Sequence, residues 1–232
     1  MVRGVERVIF ACARDSLRPV LTGVLWEIGK GKLRLVATDG FRLGIEEVMI
    51  EGAEKELSIL VPARVVAEVV RLATEGQIVV GHLPTTNQIY FKIGDTLVVS
   101  QLLEGNFPDY TKIIPKEFTS ELTVAKDELL QAVRTTHIFA RDNSNMVKWY
   151  VGEGKLKLVA VSPERGECNA EIPIHLTGEP GEIIFNAKFV LDYLGVVAGE
   201  KVWLGMGGKL APGMFRDPGQ KSGQYVVMPI NA

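Results

Sequence analysis

Val5, Val8, Ile9 and Cys12 fall at i, i+3, i+4 and i+7, so the chain is expected to open with an amphipathic helix whose other face carries Arg7, Ala11 and Arg14. The rhythm then changes to alternation. Residues 23–28 and 32–37 read as strands joined by Gly29-Lys30-Gly31, which predicts a hairpin turn, and residues 43–50 read as a further strand. Pro62, at a position that a first helical turn tolerates, opens a second helix. In it Val65, Val66, Val69, Leu72 and Ala73 form the apolar face, Arg64, Glu68, Arg71 and Glu75 the polar one, and Gly76 the stop. Residues 78–81, 88–93 and 96–102 are expected strands, and the turn-rich stretch 104–110 closes the plan.

The plan then returns. Residues 24–37 reappear as residues 147–160, with Trp26 matching Trp149 and Leu33-Arg34-Leu35-Val36-Ala37 matching Leu156-Lys157-Leu158-Val159-Ala160. Residues 61–68 match residues 185–192, and Arg7 and Ala13-Arg14-Asp15 match Arg134 and Ala140-Arg141-Asp142. A repeat this long is a duplicated globular domain, since solenoid units repeat every 20 to 50 residues or so. Two domains are expected, residues 1–118 and 119–232, each of α+β class with two helices packed on antiparallel sheets.

Composition supports a folded chain that works by binding. Of 232 residues 47% are hydrophobic and 23% charged, with a formal charge of −2, so there is neither the charge excess of a disordered chain nor a charged tail. No apolar run approaches the roughly 20 residues of a membrane span, and no signal-peptide core stands at the N-terminus, so a cytoplasmic setting is expected. Cys12, in the predicted first helix, and Cys168, in a predicted strand, lack the paired spacing of a metal or redox motif and read as buried or half-buried free thiols. His82, His137 and His175 have no motif partners. Gly205-Met206-Gly207-Gly208 lacks the Lys-Ser/Thr of a phosphate loop, and Thr38-Asp39-Gly40-Phe41-Arg42 reads as an Asp-Gly turn between strands. With no nucleophile elbow, zinc-ligand cluster or catalytic carboxylate pair, no catalytic residue, metal or cofactor is expected.

One charge pattern does recur. Arg7 and Arg14 are seven positions apart, as are Arg134 and Arg141, and Arg64 recurs as Lys188. Seven residues are close to two helical turns, so each pair is expected on one side of its helix. Two readings are open: ordinary solvated faces, or a shared positive surface for a polyanion. Keeping a cation at equivalent positions in both copies adds weight to the second.

Six segments in order carry a resemblance: Arg18-Pro19-Val20-Leu21-Thr22-Gly23-Val24-Leu25, Val36-Ala37-Thr38-Asp39-Gly40-Phe41-Arg42-Leu43, Gly105-Asn106-Phe107-Pro108-Asp109-Tyr110, Ala140-Arg141-Asp142-Asn143-Ser144-Asn145, Phe185-Asn186-Ala187-Lys188 and Tyr225-Val226-Val227-Met228-Pro229. Together they resemble the bacterial DNA polymerase III β subunit family, the replicative sliding clamps, in its middle and C-terminal domains. The likeness covers nearly the whole chain. Family members carry three such domains, and nothing here resembles the first.

The resemblance implies a ring around duplex DNA with helices lining the hole, without sequence readout. Arg7, Arg14, Arg64, Arg134, Arg141 and Lys188 are the residues it would place toward the hole. It also implies a hydrophobic pocket between the middle and C-terminal domains for short linear motifs of DNA polymerase, clamp loader and repair proteins. By motif, the wall would be Arg18, Leu21, Thr38, Gly40, Phe41, Arg42, Leu43, Pro108 and Ile113, with Asn186, Phe189, Val227, Met228, Pro229 and Ile230 from the second domain. On periodicity alone Leu21, Leu43 and Val227 read equally well as plain core. Phe41 stands where a His is common in the family, and the tail ends Ile230-Asn231-Ala232 rather than in a basic residue and a leucine.

Six domains in a ring would require three such chains. Ile138 and Phe139 stand where the family's closing surface lies, and Leu97 and Val99, on a candidate edge strand, are the expected opposing surface. Two functions follow as alternatives: a non-catalytic sliding clamp, or a monomeric peptide-binding adaptor that keeps the pocket without encircling DNA.

Overall fold

The computed structural model describes residues 1–231 apart from 16, 54, 55, 74–76, 153 and 221, so the expected helix residues Glu75 and Gly76 lie outside the described residues. Two compact units are formed, Met1–Asp109 and Tyr110–Ala232. Residues 110–118, placed by the sequence in the first domain, go with the second unit. There Phe118 sets its ring edge-on to Trp203, with centroids 5.1 Å apart.

In the first unit the expected strands form β1 (Gly23–Gly29), β2 (Lys32–Thr38) and β3 (Arg42–Met49), and a strand that the alternation did not predict, β4 (Leu57–Pro62), joins them in the antiparallel order β3-β2-β1-β4. The β1–β2 turn is the expected hairpin. Lys30 (φ 52°) and Gly31 (φ 73°) both adopt positive φ, matching the twist of the flanking strands. Helix α2 (Ala63–Leu72) follows with Pro62 as its N-cap and buries Val66 and Val69, while Arg64, Glu68 and Arg71 are exposed. The strands β5 (Ile78–Leu83), β6 (Gln88–Ile93) and β7 (Thr96–Gln101) form a separate antiparallel sheet in that order. Trp26 of β1 meets Phe91 of β6 edge-on, with centroids 5.8 Å apart, and both rings are buried.

The opening helix is shorter than its periodicity predicts. Helix α1 spans only Val2–Glu6, and Val8 leaves helical geometry at φ −122° before a 3₁₀ turn at Ile9–Ala11. Cys12 is then extended, and Ala13 N–H donates to the carbonyl of Leu21 at 2.8 Å. Val8-Ile9-Phe10 is β-branched and aromatic, the poorer class of helix residue, and no side chain caps α1. This segment also presses on the sheet: a Cβ on Gly44 would stand 3.2 Å from the Cα of Val8. Arg7 and Arg14 therefore do not share a helix face.

The second unit completes the plan. After β8 (Ser120–Ala125), α3 (Lys126–Ala140) runs unbroken, with Asp127 and Glu128 favouring its N-terminus. The strands β9 (Met146–Gly152), β10 (Lys155–Ser162), β11 (Gly166–Pro173) and β13 (Gly181–Asn186) form one sheet in the order β11-β10-β9-β13. The other runs β12-β8-β14-β15-β16, using β12 (His175–Gly178), β14 (Lys201–Met206), β15 (Gly213–Arg216) and β16 (Gly223–Val227). Helix α4 (Ala187–Leu194) follows β13 as α2 follows β4. Trp149 meets Phe215 edge-on at 6.2 Å, so the duplication extends to the core pair of each unit.

Candidate functional site

In the first unit the residues expected at a peptide-binding wall gather around the β2–β3 turn. Asp39 organises it. Its Oδ1 accepts from the backbone N–H of Phe41 (2.9 Å) and of Arg42 (3.0 Å), and its Oδ2 accepts from Nε of Arg42 at 3.0 Å. The hydroxyl of Thr38 donates to the Arg42 carbonyl at 2.6 Å and accepts from Gly40 N–H at 3.0 Å. The turn read from the Asp-Gly dipeptide is thus closed on both sides by side chains. Gly40 sits at φ 94°, and a Cβ there would lie 3.5 Å from Nη1 of Arg18, so the guanidinium of Arg18 lies over the turn.

Arg18 itself caps the 3₁₀ turn Pro19–Thr22, and its carbonyl accepts from Leu21 N–H at 2.9 Å. Arg42 is buried, with its guanidinium 5.7 Å from the Phe10 ring centroid. Phe41, at 66% exposure, and Pro108 are the apolar groups presented outward. Leu43 (0%), Thr38 (3%) and Leu21 (3%) have almost no surface. For Leu21 and Leu43 the core reading holds, and they support the turn from beneath.

The second unit brings together the end of β13, the start of α4 and the chain after β16. Asn186 caps α4, its Oδ1 accepting from Lys188 N–H at 3.0 Å. The Tyr225 hydroxyl donates to the Phe189 carbonyl at 3.0 Å, and the Tyr225 ring stacks on Tyr193 with centroids 5.0 Å apart. Val227 is fully buried, another core residue, whereas Phe189, Met228, Pro229 and Ile230 are half-buried. Ile230 N–H donates to the carbonyl of Ile184 at 2.9 Å, which lays the tail beside β13. Ile113, in the 3₁₀ turn Tyr110–Ile113, is half-buried.

The cations separate into two kinds. Arg14, Arg64, Arg134, Arg141 and Lys188 are exposed. Arg64 and Lys188 occupy the second position of α2 and of α4, so the match between the units is also a match in place. Arg134 lies on α3 and Arg141 is its C-cap in helical geometry. Arg7 departs from the expectation: it is half-buried, and its Nη1 is 3.4 Å from Oε1 of Glu46, a buried carboxylate of β3. Leu97 (61%), Val99 (50%) and Ile138 (46%) are exposed and Phe139 is half-buried. Among the described residues the strand that carries Leu97 and Val99, β7, ends its sheet.

Two features of the sites were not legible beforehand. The hydrogen bond from Tyr225 to Phe189 joins distant positions, and the guanidinium of Arg42 lies over the ring of Phe10, which no local motif pairs with it. Burial pushes the Cys12 thiol up to about 12, with Asp39 adding to the effect and Arg42 opposing it. The Cys12 thiol donates to the Gly23 carbonyl at 3.4 Å, so this cysteine is a structural group. Among the described residues no group of His, Cys, Asp and Glu could hold a metal ion, and no helix is long and apolar enough to cross a membrane.

Residues 1–109 match the family model of the DNA polymerase III beta subunit central domain, and residues 111–231 match that of its C-terminal domain. The chain belongs to the DNA polymerase III beta subunit family. Beta sliding clamps of Salmonella typhimurium and Staphylococcus aureus are 32% and 28% identical to it, over 99% and 95% of this chain. It spans 63% and 59% of their lengths. Among solved structures, the DNA polymerase III beta subunit of Thermotoga maritima superposes with a TM-score of 0.93 at 33% identity, covering 100% of this chain and 63% of that one. A sliding clamp of Pseudomonas aeruginosa bound to griselimycin gives 0.93 at 29% identity, again over 100% and 63%. The clamp fold therefore extends through both units.

Proposed function

We propose that this chain supplies two domains of a cytoplasmic, non-catalytic DNA sliding clamp that encircles duplex DNA and tethers DNA polymerase, clamp loader and repair proteins through short linear motifs. The observation that carries the DNA reading is the pairing of Arg64 with Lys188 at the same helical position in both units, joined by exposed Arg14, Arg134 and Arg141. Mobile contacts to phosphate need cations without base-reading geometry, and these are of that kind. The candidate peptide contacts are exposed Phe41, Pro108 and Arg18 in the first unit, supported by Asp39, and, in the second unit, Phe189, Met228, Pro229 and Ile230, supported by Tyr225.

Ring closure by three chains would bring Leu97 and Val99 of one copy against Ile138 and Phe139 of the next. Exposure of three of these four apolar residues supports that reading. The monomeric adaptor remains as a second reading because the match covers only 59% to 63% of the relatives' lengths.

The deciding experiment compares retention on closed circular and linear DNA at high salt, alongside the mass in solution. A ring stays on the circle, is lost after linearisation, and has about three times the mass of one chain. A monomer that binds clamp motifs yet shows no such difference would establish the adaptor in its place.

A further inference from the structure

Three stretches of the second unit converge beside β13 and border a recess of about 130 Å³, room for one side chain rather than for a whole ligand. Each wall follows from local structure. Ile183 and Phe185 of β13 are buried, so alternation turns Glu182 and Ile184 to the other face of the sheet, where their partners in β9 are Tyr150 and Lys148. The bond from Ile230 N–H to the Ile184 carbonyl brings the chain after β16 against that strand. Between β14 and β15, Ala211 N–H donates to the Gly208 carbonyl at 3.2 Å and closes a turn with Lys209 and Leu210 at its tip, both exposed. Ile184, Leu210 and Ile230 thus give the recess aliphatic walls, and Lys148, Glu182, Lys209 and Asn231 give it a polar rim.

That rim carries an excess of positive charge. Lys148 is already balanced, with its Nζ 3.3 Å from Oε2 of Glu182 and 4.8 Å from the Tyr150 ring centroid. Lys209 forms no ion pair among the described residues, so one cation of the recess lacks a counter-charge. We propose that this recess is a specificity subsite that selects a glutamate or aspartate side chain in the bound linear motif. The carboxylate meets Lys209 while its methylenes lie on Leu210 and Ile230. A lysine or arginine in the same place would face two cations and one carboxylate, so the recess also rejects. The subsite rests on the peptide-binding reading above, since Ile230 belongs to both the recess and the candidate peptide contacts.

The probe is a random heptapeptide library sorted on the whole chain, followed by synthesis of the most enriched peptide. Enriched sequences are expected to hold an acidic residue at a fixed distance from their apolar anchors. Sorting on Lys209→Glu should place Lys or Arg at that position, whereas Lys201→Glu, the same charge change at the far end of β14, should keep the acidic residue. In the synthetic peptide, Glu→Gln should weaken binding about two- to fivefold, the scale of an exposed ion pair, and the loss should shrink at high salt. Carbodiimide should couple the peptide carboxylate to Nζ of Lys209 or Lys148, read by mass spectrometry after digestion. If no peptide is enriched, the peptide-binding reading fails and the subsite with it. Enrichment that Met228→Ala weakens but that shows no charge preference leaves that reading standing and overturns the subsite. An acidic preference that survives Lys209→Glu, or coupling only to other lysines, overturns it as well.

Discussion

The hydroxyl of Tyr225 and the carbonyl of Phe189 lie 3.0 Å apart, and this bond fastens the last strand of the second unit to the first turn of α4. It sits where three candidate peptide contacts meet: Phe189 on the helix, and Met228 and Pro229 just beyond the strand. Tyr225→Phe keeps the stack on Tyr193 and deletes only the donor. A stability loss of about 0.5–1.5 kcal/mol is expected in urea denaturation. Affinity for a clamp-binding peptide should fall with it, because the support of Met228 loosens.

Leu43 and Met228 should respond in opposite ways to truncation. Leu43 is fully buried, so Leu43→Ala opens a cavity and should cost about 2–5 kcal/mol of stability. Met228 is half-buried, and Met228→Ala should instead cost about 1–3 kcal/mol of peptide affinity with little change in stability. Calorimetric binding and denaturant melts on both variants check the pair. Equal effects on binding would mean that Leu43 reaches the peptide.

The turn at Asp39 and Gly40 predicts a third outcome. Gly40→Ala forces a side chain into φ 94°, at a cost of about 1–3 kcal/mol, and sets its Cβ against the guanidinium of Arg18. Stability and peptide affinity should both fall. Arg18→Ala should lower affinity alone, since Arg18 is exposed.

Salt dependence of DNA binding should divide the cations as the structure does. Arg64→Ala and Lys188→Ala should each lower the slope of log affinity against log salt by about 0.9, the signature of one lost phosphate contact. Stability should stay within roughly 0.5 kcal/mol. Arg7→Ala should do the reverse: it removes a partner of buried Glu46, costs about 1–3 kcal/mol of stability and leaves the slope unchanged.

Cys12 predicts a loss of stability in alkali. Its thiol is pushed from an ordinary 9.0 up to about 12, so between these values the unfolded chain releases a proton that the folded chain keeps. Folded protein then binds more protons, and stability falls as pH rises through that window, by at most about 1.4 kcal/mol per pH unit. The difference in slope between the natural chain and Cys12→Ala, from denaturant melts across the window, isolates this contribution. Iodoacetamide should label Cys168, which is half-buried, well before Cys12.

Most of the strands were readable because alternation is a local signal, and the duplication confirmed it by repeating the same words. Residues 88–93 are β6 as expected, and the glycines of residues 29–31 mark a real turn. The opening helix is shorter than its pattern for the same reason of locality: Val5, Val8, Ile9 and Cys12 have helical spacing, yet spacing cannot register that Val8 lies against Gly44. Six ordered motifs were enough to resemble the clamp family. They could not say which of their members reach the surface.

The sequence by itself determined most strands of the first unit, the duplication, the family and the positions of the repeated cations, because each is written in local pattern or in residue identity. Tertiary structure alone decided that Leu21, Leu43 and Val227 are core and that Arg7 pairs with Glu46. Burial and pairing are made by residues far apart in the chain. The same apolar or cationic side chain is a contact or a support according to what packs on it, and only the folded chain brings those neighbours together.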